Sequence, residues 1–344
     1  MKTILFYSFL FALIAGCSTE QTTVSKSVNR IQPTIITEKV VHDSDDPAIW
    51  IHPEDPSQSL ILGTDKDSDG ALFVFDLSGN IVSDKVIRGL RRPNNVDLEY
   101  GFRLDSVRTT AIAALTEREA EAVRIFSVPE MKAIDGGGIK VFEGESDVDW
   151  RAPMGIALYK NPESATVSMI VGRKSGPTDS TYLWQYELLP DGRGALSATL
   201  IRKFGAFTGG GEIEAIAVDN QLGHVYYCEE GVGVRKYHAD PAKGNEELAF
   251  FGQSDFQEDA EGIALLETSD STGLIIVSDQ QAHAFNVYAR EGSPDAPHSH
   301  KLLRKVYLST TETDGCEVTH LHLGGQFEKG LFVAMSDDKT FQLY

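Results

Sequence analysis

Apolar and polar positions in this chain switch in short runs rather than at helical spacing. In the first unit the order is LILG, a polar loop TDKDSDGA, then LFVFDL. The order recurs as TAIAAL, TEREAEA, VRIFSV, then as SMIVG, RKSGPTDST, YLWQYEL, then as HVYYC, EEGVG, VRKYHA. LIIVS, DQQAHA, FNVYARE follow, and the chain closes on LFVAM, SDDKT, FQLY. Runs of this length, rich in Val, Ile, Tyr and Phe and bounded by Gly, Asp and Pro, predict β-strands. Ahead of each pair stands a motif running into small and branched apolar residues: DPAIW at Asp46, NVDLE at Asn95, MGIAL at Met154, EAIAV at Glu214, EGIAL at Glu261 and GCEVT at Gly315.

The copies lie 49, 59, 60, 47 and 54 residues apart, a period of solenoids and propellers. A further segment such as DKVIRG or LIRKFGAF precedes the next copy, so each unit holds four strands, the content of one propeller blade. The chain ends three strands into the sixth unit, and TIITEKVV at 34–41 stands where a fourth strand stands before every other copy. The expected fold is therefore all-β: a six-bladed β-propeller over residues 32–344, four antiparallel strands per blade. An N-terminal strand closes the last blade and removes the exposed edges.

The N-terminus follows a different pattern. Lys2, an apolar run from Ile4 to Ala15 and small residues before Cys17 predict a signal peptide over 1–16. Ile14-Ala15-Gly16-Cys17 resembles a bacterial lipobox, which implies lipidation of Cys17 and an exported, membrane-anchored protein on the periplasmic face, outer membrane or cell surface. Residues 17–31 are polar and read as a flexible tether. Cys228 and Cys316 fall in non-adjacent units and are expected to be buried free thiols.

A formal net charge of −20 argues against nucleic acid, which is bound by basic patches, and suits divalent cations held by oxygen ligands. In antiparallel blades the six motif starts and the six polar loops gather at one mouth. Asp45, Asp46, Asp97, Glu214, Asp259, Glu261 and Asp314 come from the motif starts. Lys66, Arg118, Arg173 and Lys174 come from the first three loops, and Glu229, Glu230, Gln280 and Asp337 from the last three. Crowded carboxylates need compensating cations, Ca²⁺ being the hard extracellular choice. Lys and Arg facing them suit an oxygen-rich anion. No protein nucleophile is visible: Cys228 and Arg235 lack the Cys-x5-Arg spacing, no Arg-His-Gly signature occurs, and GRKSG at Gly172 is not a nucleophile elbow.

DDPAIW at Asp45, TDKDSDG with Lys66, PNNVD at Pro93, TERE with Arg118, EIEAIAVD at Glu212, CEEG, DAEGI at Asp259, SDQ at Ser278 and TDGCEV at Thr313 together resemble the β-propeller phytases. The resemblance implies a calcium-dependent 3-phytase, a phosphomonoesterase that acts on myo-inositol hexakisphosphate through a metal-activated water, with several Ca²⁺ ions. It implies that Lys66, Arg118 and Arg173 hold phosphate. Asp46, Asp97, Glu214, Glu229, Glu230, Asp259, Glu261 and Asp314 would be calcium ligands. Asp45 and Asn95 are placed with the metal, Lys174 and Gln280 with the substrate, and Lys66, Arg118, Arg173, Glu214 and Glu261 with catalysis. Two positions depart from the family pattern: Met154 stands where members carry Tyr, and Arg173-Lys174 where a Lys precedes an acidic residue. A Met neither donates to phosphate nor ligates hard Ca²⁺. The expected partners are inositol polyphosphates, with membrane contact only through the lipid and a monomeric state. The competing readings are a calcium lactonase and a non-catalytic binding propeller.

Overall fold

The computed structural model describes residues 28–344; the leader, Cys17 and most of the tether lie outside them. Six antiparallel sheets stand around an axis. Blade 1 consists of Ser44–Trp50, Leu60–Asp65, Gly70–Asp76 and Ile87–Leu90, and blades 3, 4 and 5 repeat this order from Pro153, Ile216 and Ala260. In blade 2 the outermost strand is split, because Lys132–Ala133 and Ile139–Lys140 each pair with a part of Ala122–Val128. Blade 6 takes three strands from the C-terminus and its fourth from the N-terminus: Ile35 pairs with Leu343 and Ile36 with Gln342. The seam continues beyond that strand, since Thr37 N–H donates to Phe341 O and Val40 N–H to Lys339 O, both at 3.0 Å.

Arg30 and Ile31, which composition places in the tether, are bound to blade 5. Arg30 Nη1 donates to His283 O at 2.7 Å and Leu308 O at 2.8 Å, and Ile31 N–H donates to Tyr307 O at 3.0 Å. Polar composition does not reveal such docking, because one guanidinium and two backbone bonds suffice for it.

Buried apolar side chains sit between the blades. Phe73 and Phe75 of blade 1 pack with Phe341 and Leu343 of blade 6, and Val123 and Ile125 of blade 2 with Met169 and Trp184 of blade 3. The first strand of each blade lies nearest the axis, which explains the small residues in the repeated motif. A Cβ on Gly155 would meet the carbonyl oxygen of Glu214 on the next blade, and one on Gly315 would meet Asp46. Among the described residues Cys228 and Cys316 are buried and unpaired. His320 and His322 fall in the irregular segment after Cys316–Thr319.

Candidate active site at the propeller mouth

The first strands line an axial cavity of about 140 Å³ that contains Asp46, Asn95, Asp97, Asn220, Glu267 and Glu317. Here the motif carboxylates stitch neighbouring blades: Asp46 Oδ2 accepts from Val96 N–H at 3.0 Å, and Asp97 Oδ2 from Leu158 N–H at 2.6 Å. Burial pushes Asp97 up to about 7 and Glu317 up to about 8, because an ionised carboxylate loses its hydration there. Asp46, Asn95 and Asp97 therefore lie along the axis, apart from the two carboxylate clusters above them.

At the mouth, Asp45, Glu214 and Asp314 bring oxygens within 4.8 Å of one another, and so do Glu212, Glu214 and Glu230. Glu214 belongs to both. Burial first, then neighbouring acids, raises Glu214 and Asp314 to about 7 and holds Glu261 well above the carboxylate range. Glu261 Oε2 is buried without a partner. Asp259 accepts from Gln281 Nε2 at 2.7 Å.

Cations are set among these acids. Lys66 pairs with Asp45 and, at 3.2 Å, with Asp314; Arg118 pairs with Glu214 at 3.3 Å. Burial alone would depress the Lys66 ammonium, but Asp45, Glu214 and Asp314 outweigh it and keep the group firmly charged. Gln280 Nε2 donates to Asp314 Oδ1 at 2.6 Å, so its amide orients a carboxylate of the cluster.

Two residues expected at the mouth have side chains engaged inside the protein. The Arg173 side chain is 0% exposed and pairs with Glu145 at 3.3 Å. Its guanidinium donates to Tyr182 O and Thr181 O at 2.9 Å and to Trp150 O at 3.2 Å, and it lies over the Phe142 ring. It is a packing residue whose donors are spent inside the protein. The third loop's cation at the mouth is Lys174, 40% exposed and 3.6 Å from Glu212. Likewise Glu229 is fully buried and spent on Thr208 N–H at 2.6 Å and Arg235 Nε at 2.9 Å, whereas Glu230 joins the cluster. Successive side chains at a strand end point to opposite sides, so one member of each adjacent charged pair turns inward. Glu212 joins the cluster as well, and its two-residue offset from Glu214 in EIE, which puts both on one side, is the signal for it.

The donor set is all oxygen, anionic and crowded, with buried carboxylate oxygens of Asp45 and Glu261 left without hydrogen-bond partners. That is the chemistry of a hard divalent cation site. A profile of the family described as Phytase matches residues 2–342. The chain belongs to the phytase family. A 3-phytase of Bacillus subtilis (strain 168) is 27% identical over 306 residues, covering 86% of this chain and 75% of that protein. The solved Dos1 propeller superposes with a TM-score of 0.44 at 9% identity, covering 86% of this chain and 66% of its own, a likeness too slight to argue from. Family membership makes this phytase an enzyme, a phosphoric monoester hydrolase of the 3-phytase kind. At its mouth basic and acidic side chains meet.

Proposed function

We propose that this phytase releases phosphate from myo-inositol hexakisphosphate with Ca²⁺ as cofactor. The observation that carries the reading is the interleaving of Lys66 and Arg118 with the carboxylates of Asp45, Glu214 and Asp314. Asp45, Glu214, Asp314, Glu212 and Glu230 would hold the metal, with Glu261 and Asp259 beside them; when bound, Ca²⁺ supplies polarisation of the phosphoryl group and of the attacking water. Lys66 and Arg118 bind and orient the phosphate and offset the charge spreading over its equatorial oxygens. Lys174 extends the cationic rim towards the third blade. Water oxygen bonds to phosphorus, the bond from phosphorus to the inositol oxygen breaks, one water proton ends on that inositol oxygen and the other stays with the orthophosphate. The products are orthophosphate and an inositol with one phosphate fewer.

Phosphate release across a calcium titration tests this, with wild type, Arg118→Ala and Glu214→Ala in parallel. Arg118→Ala should lose turnover while calcium still raises the Tm, because a group that grips the ligand adds little to the cation site. Glu214→Ala should need more calcium for half-maximal activity. Full turnover by Arg118→Ala would replace the phosphatase reading with the binding-platform one.

The leader and lipobox support a second proposal, that the mature protein is exported and held at a membrane by acylated Cys17; a monomeric state is proposed beside it. A fatty-acid probe should label wild type but not Cys17→Ser. Membrane partitioning unchanged in that variant would refute the anchor.

A further inference from the structure

Three imidazoles meet at the seam between blades 4 and 5, at the end of the ring opposite the mouth. His224 opens the second strand of blade 4 and His238 closes the third, and the two are paired directly across those strands. His298 comes from the loop of blade 5 between Ala284–Ala289 and Leu302–Tyr307. The ring centroids of His224 and His238 lie 5.6 Å apart, those of His224 and His298 5.5 Å, and those of His238 and His298 6.5 Å. Nδ1 of each ring is buried without a hydrogen-bond partner among the described residues. His300, two residues on from His298, has both nitrogens engaged, with Ala289 O at 2.9 Å and Lys236 Nζ at 3.2 Å. Packing accounts for His300 but leaves three buried nitrogens unexplained, and a buried polar atom without a partner is costly.

We propose that His224, His238 and His298 bind a divalent transition-metal ion of the Zn²⁺ or Cu²⁺ kind, which ties blade 4 to the loop of blade 5. Imidazole nitrogen suits such ions, whereas Ca²⁺ takes oxygen, so the seam and the mouth select different metals. Three imidazoles around one tetrahedral ion, with metal–nitrogen bonds of about 2.0–2.1 Å, hold their centroids roughly 5–5.5 Å apart. Two of the three separations already match, and the third closes if the loop that carries His298 shifts by roughly 1 Å. The nitrogens are not all within 4.8 Å of one another as the rings stand, but a half-turn about Cβ–Cγ exchanges nitrogen and carbon without altering a ring's outline. All three residues are half-buried, which leaves the fourth position of the ion to water. Lys236 lies on the same face, and its like charge limits the affinity, although its ammonium is already spent on His300 and the Tyr226 ring.

Calorimetric titration of Zn²⁺ into the protein in excess Ca²⁺, which competes for the carboxylates of the mouth, tests the site without reference to turnover. Wild type should bind one Zn²⁺ per chain, and its Tm should rise with Zn²⁺. In His238→Gln and in His298→Gln the Zn²⁺ affinity should fall about tenfold or more, and the Tm should stop responding to Zn²⁺. A Tm near that of wild type without Zn²⁺ shows that each variant is folded; His298→Gln, on a loop, serves if the strand variant fails to fold. Cu²⁺ in place of Zn²⁺ should give an electron paramagnetic resonance spectrum split by nitrogen in wild type and weakened in both variants. Zn²⁺ binding that excess Ca²⁺ abolishes in wild type, or that both variants retain in full, would overturn the proposal. Full binding by His298→Gln alone would leave the ion on the cross-strand pair and overturn the link between the blades. Either result leaves the phytase reading of the mouth untouched, because no residue of the mouth takes part.

Discussion

Neighbouring side chains in this chain have opposite fates. Arg173 is sealed under the third blade with carbonyl oxygens and Glu145 around it, while Lys174 reaches the mouth. Removing a buried guanidinium strands those acceptors without water, so Arg173→Ala should lose about 3 kcal/mol or more of stability. Lys174→Ala should leave the Tm near wild type and raise KM for phytate several-fold. Thermal melts beside steady-state kinetics read the pair, and a stable Arg173→Ala with a raised KM would return that residue to the substrate. The same contrast holds between Glu229, spent on Thr208 and Arg235, and Glu230, which faces Glu212.

Among elements, the first strands are packed so closely at the axis that backbone meets backbone. Gly155→Ala would push a methyl into the Glu214 carbonyl, at a cost of roughly 1–3 kcal/mol for overpacking. Because Glu214 joins both carboxylate clusters, that variant should also need more calcium for activity; an unshifted calcium midpoint would show that the strand can yield without moving the ligand. A second seam, between blades 4 and 5, buries imidazoles around a cation. His300 donates from Nδ1 to Ala289 O at 2.9 Å, and Nε2 faces Lys236 Nζ at 3.2 Å. Burial first, then Lys236 and His298, depresses His300 to about 4, and burial with Lys236, His298, His238 and His300 depresses His224 to about 2. Asp219, the nearby acid, is engaged by Arg290, and Glu291 adds a weaker opposing charge. The folded state thus binds fewer protons than the unfolded one below pH about 6.5. The seam's contribution is whole above that pH and is lost as pH falls towards 4. His300→Gln should narrow the Tm difference between pH 7 and pH 5, as melts at the two values would reveal.

For the whole molecule, carboxylates that repel one another at the mouth oppose closure of the ring unless cations offset them. Ligand binding to the folded state alone stabilises it, so excess chelator should lower the Tm and abolish phytate turnover together. A melting curve unmoved by chelator would mean that Lys66, Arg118 and Lys174 suffice to hold the clusters. Ring closure itself depends on residues at opposite ends of the chain, Ile35 and Ile36 against Leu343 and Gln342.

The period of the motif, the alternation of strand and loop and the missing twenty-fourth strand were all legible in the sequence, because each is a local pattern repeated at fixed spacing. So was the mouth, since strand order alone sends motif starts and alternate loops to one end. The sequence could also show that the mouth mixes acids with cations. Only the tertiary structure decided which members of adjacent charged pairs face it. Strand-end twist and the contacts of other blades set whether Arg173 or Lys174, Glu229 or Glu230, is buried, and those contacts come from segments far away in the chain. It also decided that Asp46, Asn95 and Asp97 lie along the axis while Glu212 joins the rim, and that Arg30 and Ile31 dock on blade 5. Composition carries none of this, because it fixes what a side chain can bond with but not which partners the closed ring brings within reach.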